Sequence, residues 1–116
     1  MKRSLTKGER LTRKSDFERV FAAGERRSCS GARLVYKKNG LPWNRFAVCP
    51  VRKYGDAVHR NRAKRLGKEA YRHIKERVRP GYDLVMVVYP GTDTFRDRYN
   101  QLETLLRKSG LLQNAD

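Results

Sequence analysis

Between Arg60 and Arg72 the chain reads Arg-Asn-Arg-Ala-Lys-Arg-Leu-Gly-Lys-Glu-Ala-Tyr-Arg, behind the approach Lys53-Tyr54-Gly55-Asp56. Cations this dense repel one another unless a polyanion faces them. If the stretch is helical, about 100° per residue puts Asn61, Arg65, Lys68, Arg72, Lys75 and Arg79 in one arc. Ala63, Leu66, Ala70, Ile74 and Val78 fall opposite. The chemistry this offers is phosphate binding, because a guanidinium fork bonds two oxygens at once and dehydrates more cheaply than an ammonium. Arg60 falls outside the arc. It either starts the helix or bonds nearby backbone, and Asn61 either caps locally or reaches a phosphate. An ordinary solvated face mixes signs, whereas residues 52–79 hold eleven Lys and Arg against Asp56, Glu69 and Glu76.

Other reactive side chains are scattered. His59 and His73 lie fourteen positions apart with no partner ligands at metal spacing. The carboxylates do not cluster as a protein-borne two-metal nuclease requires, and no Ser-His-Asp or Cys-His spacing suggests covalent catalysis. No metal site and no catalytic residue are therefore expected in the protein. Cys29 and Cys49 read as free thiols in a chain whose start lacks a secretory signal, and a cytoplasmic location is expected.

The net charge of +16 is unevenly distributed. Residues 1–79 carry 24 Lys and Arg against 7 acids, or +17, and residues 80–116 carry 4 against 5, or −1. Segregated charge favours a nucleic-acid surface. An anionic membrane is the alternative, but the apolar side of the basic helix is half alanine, which suits packing on a sheet better than insertion into lipid.

The elements that must position these groups follow from periodicity. Residues 1–14 read as a basic arm that orders partly or only on binding, 15–112 as one domain, and 113–116 as a short tail. Ser15-Asp16-Phe17-Glu18 has the form of a capping box for a helix over 15–23, with Gly24 as its stop. Phe17, Val20 and Phe21 make its apolar face. Residues 25–31 are loop-like, with at most a short strand, and 32–38 form a strand. Asn39-Gly40 is a turn signal, and 45–51 is the returning strand, with Pro50 arguing for an edge or bulge. A long helix covers roughly 57–78, Tyr82–Tyr89 is the strongest and most central strand, and a last helix spans about 94–109. Such an order makes a small α+β or α/β sandwich, for which a right-handed βαβ crossover is the generic expectation.

The motifs taken together resemble the protein subunit of bacterial ribonuclease P over roughly residues 10–112. The resemblance runs through Arg10-Leu11-Thr12-Arg13-Lys14-Ser15-Asp16-Phe17, Val20-Phe21, Gly24, Arg45-Phe46-Ala47-Val48, and Gly81-Tyr82-Asp83-Leu84-Val85. Its most specific part is Gly55-Asp56-Ala57-Val58-His59-Arg60-Asn61-Arg62-Ala63-Lys64-Arg65. The resemblance implies an αβββαβα α+β sandwich, like that of a ribosomal protein domain, with a left-handed βαβ crossover in place of the generic hand. It implies a catalytic RNA as partner and precursor tRNA as substrate, whose 5′ leader is removed by hydrolysis. The active site and its Mg²⁺ would belong to the RNA, leaving the protein alone inactive. Arg60, Asn61, Arg62, Lys64, Arg65, Lys68 and Arg72 are the implied contacts to the catalytic RNA. Phe17, Phe21, Tyr36 and Lys53 are the implied contacts to the leader; on residue type alone the two phenylalanines read as core, and the resemblance makes them walls of the cleft that also seal that core. Three positions depart from the family pattern. Gly67 replaces a branched apolar residue and predicts a weak point in the helix, Cys49-Pro50 replaces a regular strand ending, and Arg52 replaces lysine. A structural RNA-binding module of the same fold, such as a ribosomal protein, is the rival reading.

Overall fold

The computed structural model describes residues 5–91 and 93–113. The elements in chain order are α1 (Lys14–Ala23), β1 (Glu25–Cys29), β2 (Ala32–Lys38), β3 (Arg45–Pro50), α2 (Ala57–Ile74), β4 (Tyr82–Val88) and α3 (Phe95–Lys108), with 3₁₀ turns at Lys7–Glu9 and Lys75–Arg77. This is the expected αβββαβα order.

The four strands form one sheet in the order β1-β2-β4-β3. β1 pairs antiparallel with β2, β2 antiparallel with β4, and β3 parallel with β4. The strand after the Asn39-Gly40 turn therefore does not return along β2. β4 inserts between them, because its run of apolar residues is buried on both faces and needs a neighbour on each side. β3 lies at the edge, where Pro50 can sit without breaking a ladder.

Strand alternation divides the core in two. One sheet face carries Leu34, Tyr36, Phe46, Val48, Leu84, Met86 and Val88 against α2 and α3. Phe46 stacks on Tyr71 of α2 with ring centroids 4.1 Å apart. The other face carries Val35, Ala47 and Val85 against Val20 of α1 and Leu11.

α1 is pinned by charge as well as by packing. Arg45 donates to Asp83 from Nε (2.8 Å) and Nη2 (2.8 Å) and to Asp16 from Nη1 (3.3 Å). Arg19 donates to Asp16 at 2.9 Å and to Asp83 at 3.2 Å. Both acids are buried, and a buried carboxylate needs such partners. The engagement of Asp16 corrects the expected capping box. The helix begins one residue earlier, its N-cap is Arg13 without a side-chain bond, and Ser15 lies exposed inside the first turn. Gly24 does not act through a left-handed stop either, since its φ is −78°. A Cβ there would lie 2.5 Å from the Val20 carbonyl and 2.8 Å from that of Tyr36, so the position needs glycine for space.

Residues 5–13, expected in the basic arm, are docked. Leu5 and Leu11 are buried, the Leu11 N–H donates to the Phe46 carbonyl at 3.1 Å, and Lys75 Nζ reaches both Glu9 oxygens at 3.2 Å. Trp43 Nε1 donates to the Gly8 carbonyl at 3.0 Å. Isolated leucines give no periodic signal, which is why this strap reads as a free arm in sequence. Residues 1–4 of that arm and 114–116 of the tail lie outside the described residues.

α2 is shorter than the expected 57–78. It ends at Ile74, and the chain tightens into the 3₁₀ turn before Val78 bridges to Leu112. Its buried side is Ala63, Gly67, Ala70, Tyr71 and Ile74, with Leu66 half-buried. Gly67 is not a weak point tolerated in the open. A Cβ there would stand 2.6 Å and 2.9 Å from the two Val48 methyls, so glycine lets the helix lie close on β3.

Candidate nucleic-acid interface

The cationic arc survives in α2 itself. Asn61, Lys64, Arg65, Lys68 and Arg72, with Glu69, line a shallow groove of about 320 Å³ along its outer face. Asn61, Lys64, Arg65 and Lys68 are exposed and Arg72 half-buried. Glu69 interrupts the arc, accepting from Arg72 Nη2 at 2.5 Å and pairing with His73 Nε2 at 3.3 Å. Lys75 and Arg79 leave the arc because the helix stops first. Lys75 pairs with Glu9, and Arg79 Nε donates to the Gly110 carbonyl at 3.1 Å.

The start of α2 is set by Asp56, whose carboxylate accepts the His59 N–H at 3.0 Å and contacts His59 Nδ1 at 2.7 Å. The backbone bond from His59 holds the Asp56 carboxyl below its usual range. With Asp56 as the cap, Asn61 is left one turn into the helix on the groove.

Two assigned cations are engaged elsewhere. Arg60 points to the sheet side, and its Nη1 donates to the Val51 carbonyl at 2.7 Å and the Arg52 carbonyl at 3.3 Å. It clamps the turn after β3, the backbone-bonding alternative of the two left open by sequence, and its helical phase amid Ala63, Gly67 and Ile74 explains why. Arg62 is exposed on the flank towards α3, with Nη2 3.3 Å from the Asp93 carbonyl. Lys53 is exposed in the turn between β3 and α2.

Beside the arc lies a second surface. Phe17 and Phe21 of α1, with Cys49 of β3 and Val87 of β4, are half-buried around Val20, Val35, Ala47 and Val85. The first helix thus leaves part of its sheet face open as an apolar floor. Arg33 stands on the same face and donates to the Tyr89 hydroxyl at 2.5 Å. Burial pushes the Cys49 thiol up, against the opposing pull of the Lys64 and Arg60 charges. The floor and the groove meet the same strand: Cys49 of β3 lies in the floor, and its neighbour Val48 packs against Gly67 of α2 on the other face.

Tyr36 does not belong to this floor. It lies on the opposite sheet face, 5% exposed and packed edge-on to Tyr82 at 6.3 Å. One residue along a strand reverses the side chain, so Val35 is the β2 residue that meets Phe17 and Phe21. Sequence reasoning also missed Cys49, Val87 and Arg33. Strand alternation reaches all three: Arg33 stands two residues before Val35, Val87 two after Val85, and Cys49 two after Ala47.

Several acids near these surfaces are occupied. Asp16 and Asp83 hold Arg19 and Arg45. Asp93 holds the buried Arg98 at 3.0 Å and the Tyr54 hydroxyl at 2.6 Å. Among the described residues no three His, Cys, Asp or Glu side chains are placed to hold a metal ion, and no helix is long and apolar enough to cross a membrane.

The chain resembles known proteins along most of its length. The family model for ribonuclease P matches residues 5–110. The ribonuclease P protein component of Clostridioides difficile is 33% identical over 109 residues, covering 91% of this chain and 94% of that one. That of Nitrosococcus oceani is 40% identical over 88 residues, covering 75% and 73%. Among solved structures, the RNase P protein of Thermotoga maritima superposes with a TM-score of 0.77 at 27% identity, over 86% of this chain and 96% of that one. A Staphylococcus aureus RNase P protein mutant gives 0.82 at 22% identity, over 91% and 92%, a likeness of fold. By the span of the match and the identities across it, the chain belongs to the ribonuclease P protein family.

Proposed function

We propose that the chain is the RNA-binding subunit of a ribonuclease P holoenzyme, in which a catalytic RNA removes the 5′ leader of precursor tRNA and the protein supplies no catalytic group. The carrying observation is that two surfaces of different chemistry are built on β3: Cys49 lines the half-buried aromatic floor, and Val48 packs against α2, whose outer face carries the cationic groove. The groove, through Asn61, Lys64, Arg65, Lys68 and Arg72, neutralises phosphates of the catalytic RNA, and Arg62 extends it on the α3 flank. The floor takes the leader, whose unpaired bases stack on Phe17 and Phe21 without demanding a sequence. Lys53 and Lys64 hold leader phosphates at its rim. Arg60 acts by fixing the turn that carries Lys53.

Mg²⁺ is the expected cofactor of the holoenzyme. Asp16, Asp83, Glu69 and Asp93 are engaged by arginines and Asp56 caps α2; among the described residues no three ligating side chains come together, and the ion would be held by the RNA. The protein affects it by fixing RNA phosphates in place.

Cleavage of precursor tRNA at low Mg²⁺ with RNA alone, protein alone and both tests this reading. Both together should cleave where neither does alone. Leader removal by rigorously RNA-free protein would refute it, as would a holoenzyme that binds leaderless tRNA as tightly as precursor.

A further inference from the structure

The sheet carries another aromatic and basic groove, on the face that bears Tyr36 and reaching Ala23 at the end of α1. It is an open cleft of about 390 Å³ between the end of β2, the start of β4 and the chain after α3. Tyr36 forms its base, and Tyr82, half-buried, presents its ring edge-on at 64° to it. The Arg27 guanidinium lies 5.8 Å above the Tyr36 ring. Lys38 is directly opposite Tyr82 in the β2–β4 register, on the same face, and is exposed. Arg79 closes the wall beside Gly110. Lys37 also lines the cleft, and Glu25 is the one acid among its lining residues.

Two features limit the occupant. The volume suits a small planar ligand, and four cations against one acid require it to be anionic. An aliphatic anion would make no use of the half-buried Tyr82 ring, whereas an unpaired nucleotide offers a base face to that ring and a phosphate to the cations. None of its lining residues belongs to the α2 groove or to the floor around Phe17 and Phe21, so neither proposed RNA surface accounts for it.

We infer that this groove is a further single-stranded RNA site, holding one unpaired nucleotide with its base against Tyr82 and its phosphates between Arg27, Lys38 and Arg79. It goes beyond the proposed function and does not depend on which residues hold the leader. The sheet thereby offers RNA a contact on each face, and a strand leaving the floor has a second place to rest.

The test is photocrosslinking of the full-length protein to a uridine tetranucleotide carrying 4-thiouridine, with crosslinked peptides mapped by mass spectrometry. Crosslinks should appear on the Tyr82 peptide as well as on α1 and α2 peptides. R27E combined with K38E should lower the Tyr82 yield about tenfold or more, as expected when two phosphate contacts become repulsive, and leave the α1 yield unchanged. K38E alone, at an exposed position, should lower it severalfold without altering the melting temperature. F17A should remove the α1 crosslinks and spare those on Tyr82, so that failure of the leader reading and failure of this one give different maps. Absence of a Tyr82 crosslink, or a yield indifferent to K38E, overturns the inference. So does competition by a polyglutamate peptide as effective as that by unlabelled tetranucleotide, because charge alone would then explain the binding.

Discussion

Gly67→Ala should destabilise the protein although alanine is the better helix former. In an open helix the change would stabilise by about 1 kcal/mol. Here the new Cβ would stand 2.6 Å from one Val48 methyl and 2.9 Å from the other. Ordinary contact begins near 3.4 Å, so α2 or β3 must give by several tenths of an ångström. Overpacking of this kind costs about 1–3 kcal/mol, which leaves a net loss of about 0–2 kcal/mol. For a domain of this size, 1 kcal/mol lowers the melting temperature by roughly 4–6 °C. Val48→Ala removes both obstructing methyls at a cost of about 2 kcal/mol of its own. In that background Gly67→Ala should reverse sign and stabilise by up to about 1 kcal/mol, a coupling of the size expected for residues in contact. Thermal and urea unfolding of the four proteins of the cycle measure it. A rise in melting temperature for Gly67→Ala alone, or strict additivity with Val48→Ala, would show that the close approach of α2 to β3 is not what glycine is there for.

Removing Arg65, Lys68 and Arg72 together as alanines should weaken catalytic-RNA binding and flatten its dependence on salt, by about 0.7–0.9 in log–log slope per lost phosphate contact; an unchanged slope in a filter-binding series places the RNA elsewhere. Phe17→Ala should leave assembly with the RNA intact and reduce the preference for precursor over mature tRNA by about 1–3 kcal/mol, the worth of a lost stack. Tyr36→Ala should lower the melting temperature, because its ring is buried in the opposite core, and leave leader preference in the folded fraction at the wild-type level. Acid should loosen the N-terminal strap. Burial pushes the Glu9 carboxyl up, but the Thr6 N–H and Lys75 outweigh it and hold it below its ordinary value. A depressed carboxylate contributes stability that is present above that ordinary value and is lost as pH falls through the lower one. The melting-temperature gap between wild type and Glu9→Gln should therefore narrow below about pH 4.5, and a gap constant down to pH 3 would remove the Glu9–Lys75 pair as its source.

The helices and strands β2–β4 were legible from their apolar patterning, and the α2 arc because charge on one face and small residues on the other are both visible in the string; β1, Glu25–Cys29, reads as a loop because it carries no alternating apolar residues. Partnering was not. Asn39-Gly40 announces a reversal but not whether the next strand lies alongside, and only the double-sided burial of β4 decides that it comes between. Tyr36 was misplaced by a single step, since its residue type suits a stacking floor and only the register to Leu84 shows which way it faces. Gly67 reads as a defect in the string, because the surface that excludes a methyl there belongs to Val48, nineteen residues earlier. The backbone duty of Arg60 could be listed as an alternative from helical phase, but its carbonyl partners come from a turn whose path the sequence does not give.

The insertion of β4 between β2 and β3 also governs the order in which the protein can be made. Until Tyr82–Val88 exist, β3 has no strand to pair with, and neither core is closed, since Leu84, Met86 and Val88 complete one and Val85 the other. A growing chain can form little more than the β1–β2 hairpin and transient helices before that point, because its decisive pairings are distant in sequence. Residues 1–79, which carry +17, are therefore a polycation without its final shape until β4 is made, and any nucleic acid that meets them before then meets charge and not the finished surface.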